Sequence, residues 1–183
     1  MRLKPVISIC LLLLLAFPAS GLAKDRWISI SPMAFSNHDE SGKALLYKTE
    51  FGGEAYVTLG TTYGHVWAPV NFPPEADKRE VNLVEARVFD NLDILNPTQV
   101  MDYAHIDVSL VKVDFETGQT TQVAWIGTGW QGAPGHIIIS GSPSTNTEID
   151  NQRYAWYLRL TVELQSSLFK DDLRLYGVRI SYK

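Results

Sequence analysis

The sequence has one cysteine, Cys10, so no disulfide framework and no multi-cysteine zinc or iron–sulfur site can be built from it. It has no HExxH zinc motif, no GxSxG nucleophile elbow and no GxxxxGK[ST] phosphate loop. It also lacks an excess of basic residues. The 16 lysines and arginines are outnumbered by 20 aspartates and glutamates, for a net charge of -4. A nucleic-acid module usually carries a clustered basic face, so no nucleic-acid partner is expected. Helical periodicity is scarce as well. No stretch of a dozen residues keeps apolar side chains at i, i+3, i+4 and i+7 between caps.

What is present begins with an address. Arg2 and Lys4 precede an apolar run from Val6 to Phe17, and Gly21 and Ala23 stand where small residues are needed at -3 and -1 of a cleavage site. The run is short for a membrane span, which takes ~20 residues. A secretory signal peptide over 1–23 is therefore expected, with one domain over 24–183. Cys10 falls inside the signal and too early for a lipid anchor, so the exported chain contains no cysteine, which excludes thiol catalysis. Without Arg2 and Lys4 its net charge is -6. Export places it outside the cytoplasm, secreted or periplasmic. No transmembrane segment is expected in the mature chain.

The body alternates with period two. Tyr154, Trp156, Leu158, Leu160, Val162 and Leu164 make one apolar face, and Arg159, Thr161 and Glu163 lie on the other. Ile106–Leu110 and Tyr176–Tyr182 repeat the pattern. Weaker strands are read at Arg26–Ser31, Ala44–Thr49, Glu54–Gly60, Val66–Asn71, Asn82–Asp90, Gln119–Ile126 and His136–Ser140. Turn chemistry separates them, with Asp114–Gly118 reading as a hairpin. Short helical turns are expected at Pro73–Lys78 and Pro97–Asp102. Ten short strands imply an all-β fold, a single antiparallel β-sandwich of jelly-roll type. The alternative of equal length is a small outer-membrane β-barrel, although such barrels usually end in an aromatic residue and this chain ends Tyr182-Lys183.

Several blocks resemble a group of secreted bacterial all-β proteins of uncharacterised function. They are Ile149-Asp150-Asn151, Tyr154–Arg159 and Leu173–Ile180, with Ala68–Asn71, Pro73, Val88–Asn91 and Val108–Gly118 upstream. The resemblance implies a secreted, jelly-roll-like domain. It implies no activity and no site.

Candidate chemistry then rests on residue types. Trp130 lies in the glycine-rich loop Gly127–Gly132, where an indole has little to pack against and could meet a sugar ring or a partner's apolar surface. The competing reading is a Trp folded back as a lid on the sandwich end. Trp125 and His136 flank that loop and would lie near it if their strands paired. Trp156 and Trp67 are expected in the core. Asp90, Asn91 and Asp93 offer oxygen ligands for a calcium ion, though Asp and Asn serve ordinary turns equally well. His38, His65, His105 and His136 lack the spacing of a metal site. Glu54, Glu85, Asp107 and Glu163 lie on strands, and two of them facing one cleft at ~5–9.5 Å would suit glycoside hydrolysis. The function expected from the sequence is non-catalytic binding of a glycan or a protein partner, with self-association left open.

Overall fold

The structure is a computed structural model that describes residues 25–36, 46–51, 54–59, 63–90, 104–128, 135–164 and 173–183. Among the described residues there are ten strands: β1 Arg26–Ile30, β2 Leu46–Phe51, β3 Glu54–Leu59, β4 Tyr63–Val70, β5 Val81–Asp90, β6 Ala104–Asp114, β7 Thr120–Gly127, β8 Gly135–Gly141, β9 Tyr154–Leu164 and β10 Leu173–Tyr182. They form two antiparallel sheets. One has the order β2-β3-β10-β5-β8, with β1 also paired to β10; the other is β4-β9-β6-β7. From β3 to β6 the chain changes sheet at every step, and β9 returns between β4 and β6 while β10 returns between β3 and β5. That alternation is the jelly-roll arrangement expected from the sequence. The strands make two stacked layers rather than one closed cylinder, which removes the barrel alternative.

The core lies between the layers and follows the period-two pattern. Val84, Ala86 and Val88 of β5 and Leu173, Leu175, Val178 and Ile180 of β10 face Val66 and Ala68 of β4, Ile106, Val108 and Leu110 of β6, and Trp156, Leu158, Leu160 and Val162 of β9, all buried. A buried Leu, Ile or Val contributes about 1.5–3 kcal/mol relative to exposure, so this seam is the main source of stability in a domain without disulfides. A 3-10 turn at Pro32–Ala34, not anticipated from the sequence, delivers Phe35 into the core. The helical turn expected at Pro73–Lys78 is a 3-10 turn at Pro74–Ala76. The one expected at Pro97–Asp102 lies outside the described residues.

Three register shifts interrupt the pairing of the described strands, one of them making Asn82 an extra residue of β5 opposite Ser181 and Tyr182. In β7 an extra residue, Val123, is accommodated where Leu110 pairs Ala124 and Val111 pairs Gln122. In β10 Tyr176 is the extra residue, and Gly177 beside it has φ 154, a backbone conformation open to glycine. The hairpin from β6 to β7 closes at Gly118, φ 69, whose amide donates to the Asp114 carbonyl at 2.8 Å.

Candidate functional site

Strand alternation that buries one face of β4-β9-β6-β7 projects a second set of side chains outward. The register lines them up across the sheet. His65 pairs Thr161, which pairs Asp107, which pairs Gly127; Trp67 pairs Arg159, which pairs Ser109, which pairs Trp125. His105 and Glu163 form the next row. All of these except Trp67 and Gly127 border a shallow groove of about 490 Å³. Trp125, 53% exposed, stands at one side of it.

Asp107 organises the floor. Its strand neighbour across the pair is Gly127, and a Cβ there would collide with the Asp107 carboxylate. The missing side chain is therefore the space the carboxylate occupies. Two residues earlier on the same strand and the same face, the Trp125 indole N–H lies near enough to the Asp107 carboxylate to favour its charged form. His105 Nε2 lies 3.2 Å from Asp107 Oδ2 and 3.6 Å from Glu163 Oε2. Burial raises the Asp107 carboxyl above its ordinary range; His105 and the Trp125 indole pull it back, and the nearby Glu163 charge pushes it up further.

Arg159 crosses the middle of the face. Its Nη2 donates to Gln122 Oε1 at 3.1 Å, which also accepts from Ser109 Oγ at 3.2 Å. The guanidinium lies 5.8 Å from the centre of the Trp67 ring, and Trp67 meets Tyr157 edge-on. Among the described residues, Oδ1 of Asp107 and Nε of Arg159 are buried in the groove without a hydrogen-bond partner. An acceptor and a donor left unspent each cost about 1–3 kcal/mol. A bound hydroxyl, which donates and accepts at once, would satisfy both kinds of group.

No protein-family model and no curated protein matches the chain. Among solved structures it is similar to the xylan-binding module CBM15, at TM-score 0.40 and 8% identity over 86% of this chain and 96% of that one. It is also similar to a mutant of CBM29-2, a family 29 carbohydrate binding module, at TM-score 0.33 and 10% identity over 83% and 86% of the two chains. No ligand or residue role is carried over from either.

The structure separates the residues that the sequence grouped. β7 and β8 do not pair: β7 joins β6 in one sheet, and β8 joins β5 in the other. His136 consequently lies away from Trp125, on the outer face of the other sheet between Phe89 and Tyr176, with ring centres 4.9 and 5.2 Å away. Trp130 lies outside the described residues, as do Asn91 and Asp93; Asp90 is the last residue of β5. Among the described residues no group of three or more His, Cys, Asp or Glu could hold a metal ion. Trp67, expected in the core, is half-buried on the outer face, because it shares the parity of His65 and Pro69 rather than of Val66 and Ala68. Trp156 is in the core as expected. His105, Gln122 and Arg159 were not singled out as binding residues from the sequence. The signal available was their parity: Arg159 and Glu163 stand opposite the apolar face of β9, and His105 shares the face of Asp107.

Proposed function

We propose that the protein is an exported, non-catalytic binding module, and that the outer face of the four-stranded sheet holds a glycan against Trp125. The observation that carries this reading is the pairing of an exposed indole with the unspent Asp107 and Arg159 atoms beside it. A sugar ring presents both complements, an apolar C–H face for the indole and hydroxyls for the polar floor. A protein partner would meet the same aromatic residue but has less use for an isolated buried acceptor and donor. The charge on the face is mixed, with Asp107 and Glu163 against Arg159, which suits a neutral saccharide better than a strongly charged one. Export through the segment 1–23 agrees with such a ligand, and calcium at Asp90, Asn91 and Asp93 would be an accessory that pins a loop.

The test is a screen of the mature chain on a glycan array and in protein pull-downs, repeated with Trp125→Ala. Retention on one or more neutral glycans, lost in the variant, supports the reading. Retention only of proteins, or of glycans irrespective of Trp125, overturns it.

A second reading has one observation in its favour. Asp107, with its raised carboxyl, shares a groove with Glu163, as an acid and base of a glycoside hydrolase would. His105 reaches both carboxylates, however, and fills the gap where a scissile bond would have to pass. Binding without hydrolysis is the better fit. Release of reducing ends from a bound glycan, abolished by Asp107→Asn, would reverse that judgement.

A further inference from the structure

A second concavity lies at the end of the sandwich, built by the segment from the end of β4 to Asp77, the turn Asp150–Arg153, the start of β9 and the β6–β7 hairpin. Its volume is about 520 Å³. We infer that this cleft is a separate binding site for a single neutral, hydroxyl-bearing ring of the sugar class, recognised by Phe115, Trp156 and the side-chain amides of Asn151 and Gln152.

Four observations converge on that ligand. First, Phe115 borders the cleft and is 62% exposed at the tip of a hairpin, where an apolar ring gains nothing from the fold. It is nevertheless held in place. Its amide donates to the Arg153 carbonyl at 3.0 Å, and the preceding Asp114 accepts from Arg153 Nε at 2.9 Å and from the amides of Glu116 and Thr117 at 2.9 and 3.0 Å. The backbone that carries the exposed ring is thus pinned, which fixes where a platform would stand. Second, Trp156 also borders the cleft, is only 3% exposed, and its buried indole Nε1 has no hydrogen-bond partner among the described residues. Phe72 and Tyr154 meet this indole edge-on and supply no acceptor from their rings. A purely apolar ligand would leave that donor unsatisfied; an oxygen-bearing one would satisfy it.

Third, the polar wall is made of planar two-centre groups. Asn151 Nδ2 donates one N–H to the Phe72 carbonyl at 3.4 Å, which orients the amide and leaves its second N–H and its oxygen for a ligand, while Gln152 is exposed beside it. Side-chain amides of this kind match neighbouring hydroxyls. Fourth, no lysine or arginine lines the cleft, and its one charged group is Asp77. Lys112 and Arg153 are nearby but lie against the Tyr154 ring, 4.3 and 5.1 Å from its centre. An anionic ligand would therefore face a carboxylate without a lining cation, whereas a neutral one is accommodated.

The site stands on its own walls and does not need the Trp125 groove to be correct. The experiment uses the mature chain labelled with 15N in its tryptophan indoles. Cross-peaks of Trp156 and Trp125 are assigned by their loss in Trp156→Phe and Trp125→Ala. The probes are glucose, xylose, mannose and galactose, their trisaccharides, and glucuronate as the acidic control. The expected result is that at least one neutral probe moves the Trp156 indole signal and glucuronate does not. Phe115→Ala and Gln152→Ala, both at exposed positions, should weaken that response about tenfold, whereas Trp125→Ala should leave it unchanged. The inference is overturned if neutral probes move only the Trp125 signal, a result that keeps the groove reading intact. It is equally overturned if glucuronate is the preferred probe, if Trp125→Ala abolishes the Trp156 response, or if no probe moves either signal, the last removing both sites.

Discussion

Gly127 makes room for a carboxylate, and that gives a single-residue prediction. Gly127→Ala drives a methyl group into Asp107. Overpacking of this kind costs about 1–3 kcal/mol, and relief requires the carboxylate to move away from Trp125. The variant should fold with a lowered melting temperature and lose glycan binding; a structure with Asp107 unmoved would contradict the account. Asp107 itself has a signed pH dependence. Its carboxyl is raised in the folded state by burial, so the native fold prefers the protonated form. Its contribution is favourable at low pH and is lost as pH rises from the ordinary carboxylate value through the raised one. Asp107→Asn should flatten that part of the stability profile, measured by denaturant melts at stepped pH, while weakening binding. At this scale the sequence was half legible. Asp107 and Glu163 were recognisable as strand acids and Trp125 as a candidate. Their meeting was not, because the extra residue Val123 in β7 sets which neighbours share a face and leaves no mark in the alternation.

Among elements, the clasp between the β6–β7 hairpin and the Asp150–Arg153 turn is the one whose chemistry is most fully paired. Asp114 is held below its ordinary value of 3.8, first by the Thr117 amide and then by Arg153. Asp150 is lowered likewise, first by the Arg153 amide. For groups lowered on folding, the stabilisation is present above the unfolded value and is lost as pH falls through the folded one. Asp114→Asn should therefore lower the melting temperature at neutral pH, with the gap from the wild type closing in acid. An equal gap at all pH values would show that the carboxylate charge contributes nothing there. The hairpin was plain from Asp114–Gly118, since turn residues act locally. Parity within β4 was available too: Val66, Ala68 and Val70 against His65, Trp67 and Pro69 places Trp67 outside, a signal outweighed by the apolar neighbours of the tryptophan. The core of β9 was read correctly from its unbroken alternation, and Leu160→Ala should cost about 2–5 kcal/mol by leaving a cavity in the seam, checked by chemical denaturation.

At the scale of the whole molecule, fold class was readable and strand partnership was not. Ten alternating segments sufficed for a sandwich. Which strands pair depends on contacts far apart in sequence, and consecutive β7 and β8 belong to different layers. That one fact moves His136 to the opposite face and leaves Trp125 with Asp107 and Arg159 instead. The jelly-roll presents two outer faces, and among the described residues one of them holds buried polar atoms without partners, which the proposed glycan would supply. The most direct test is calorimetric titration of the mature chain with the neutral glycan that the array retains best, beside Trp125→Ala. A Trp at the centre of a contact is typically worth 2 kcal/mol or more, and about 2 kcal/mol corresponds to roughly a 30-fold change in Kd. Binding by the wild type and a loss of at least that size in the variant are expected, with the variant still folded. Equal affinity of the two proteins, or no affinity of the wild type for any neutral glycan, would contradict the glycan reading.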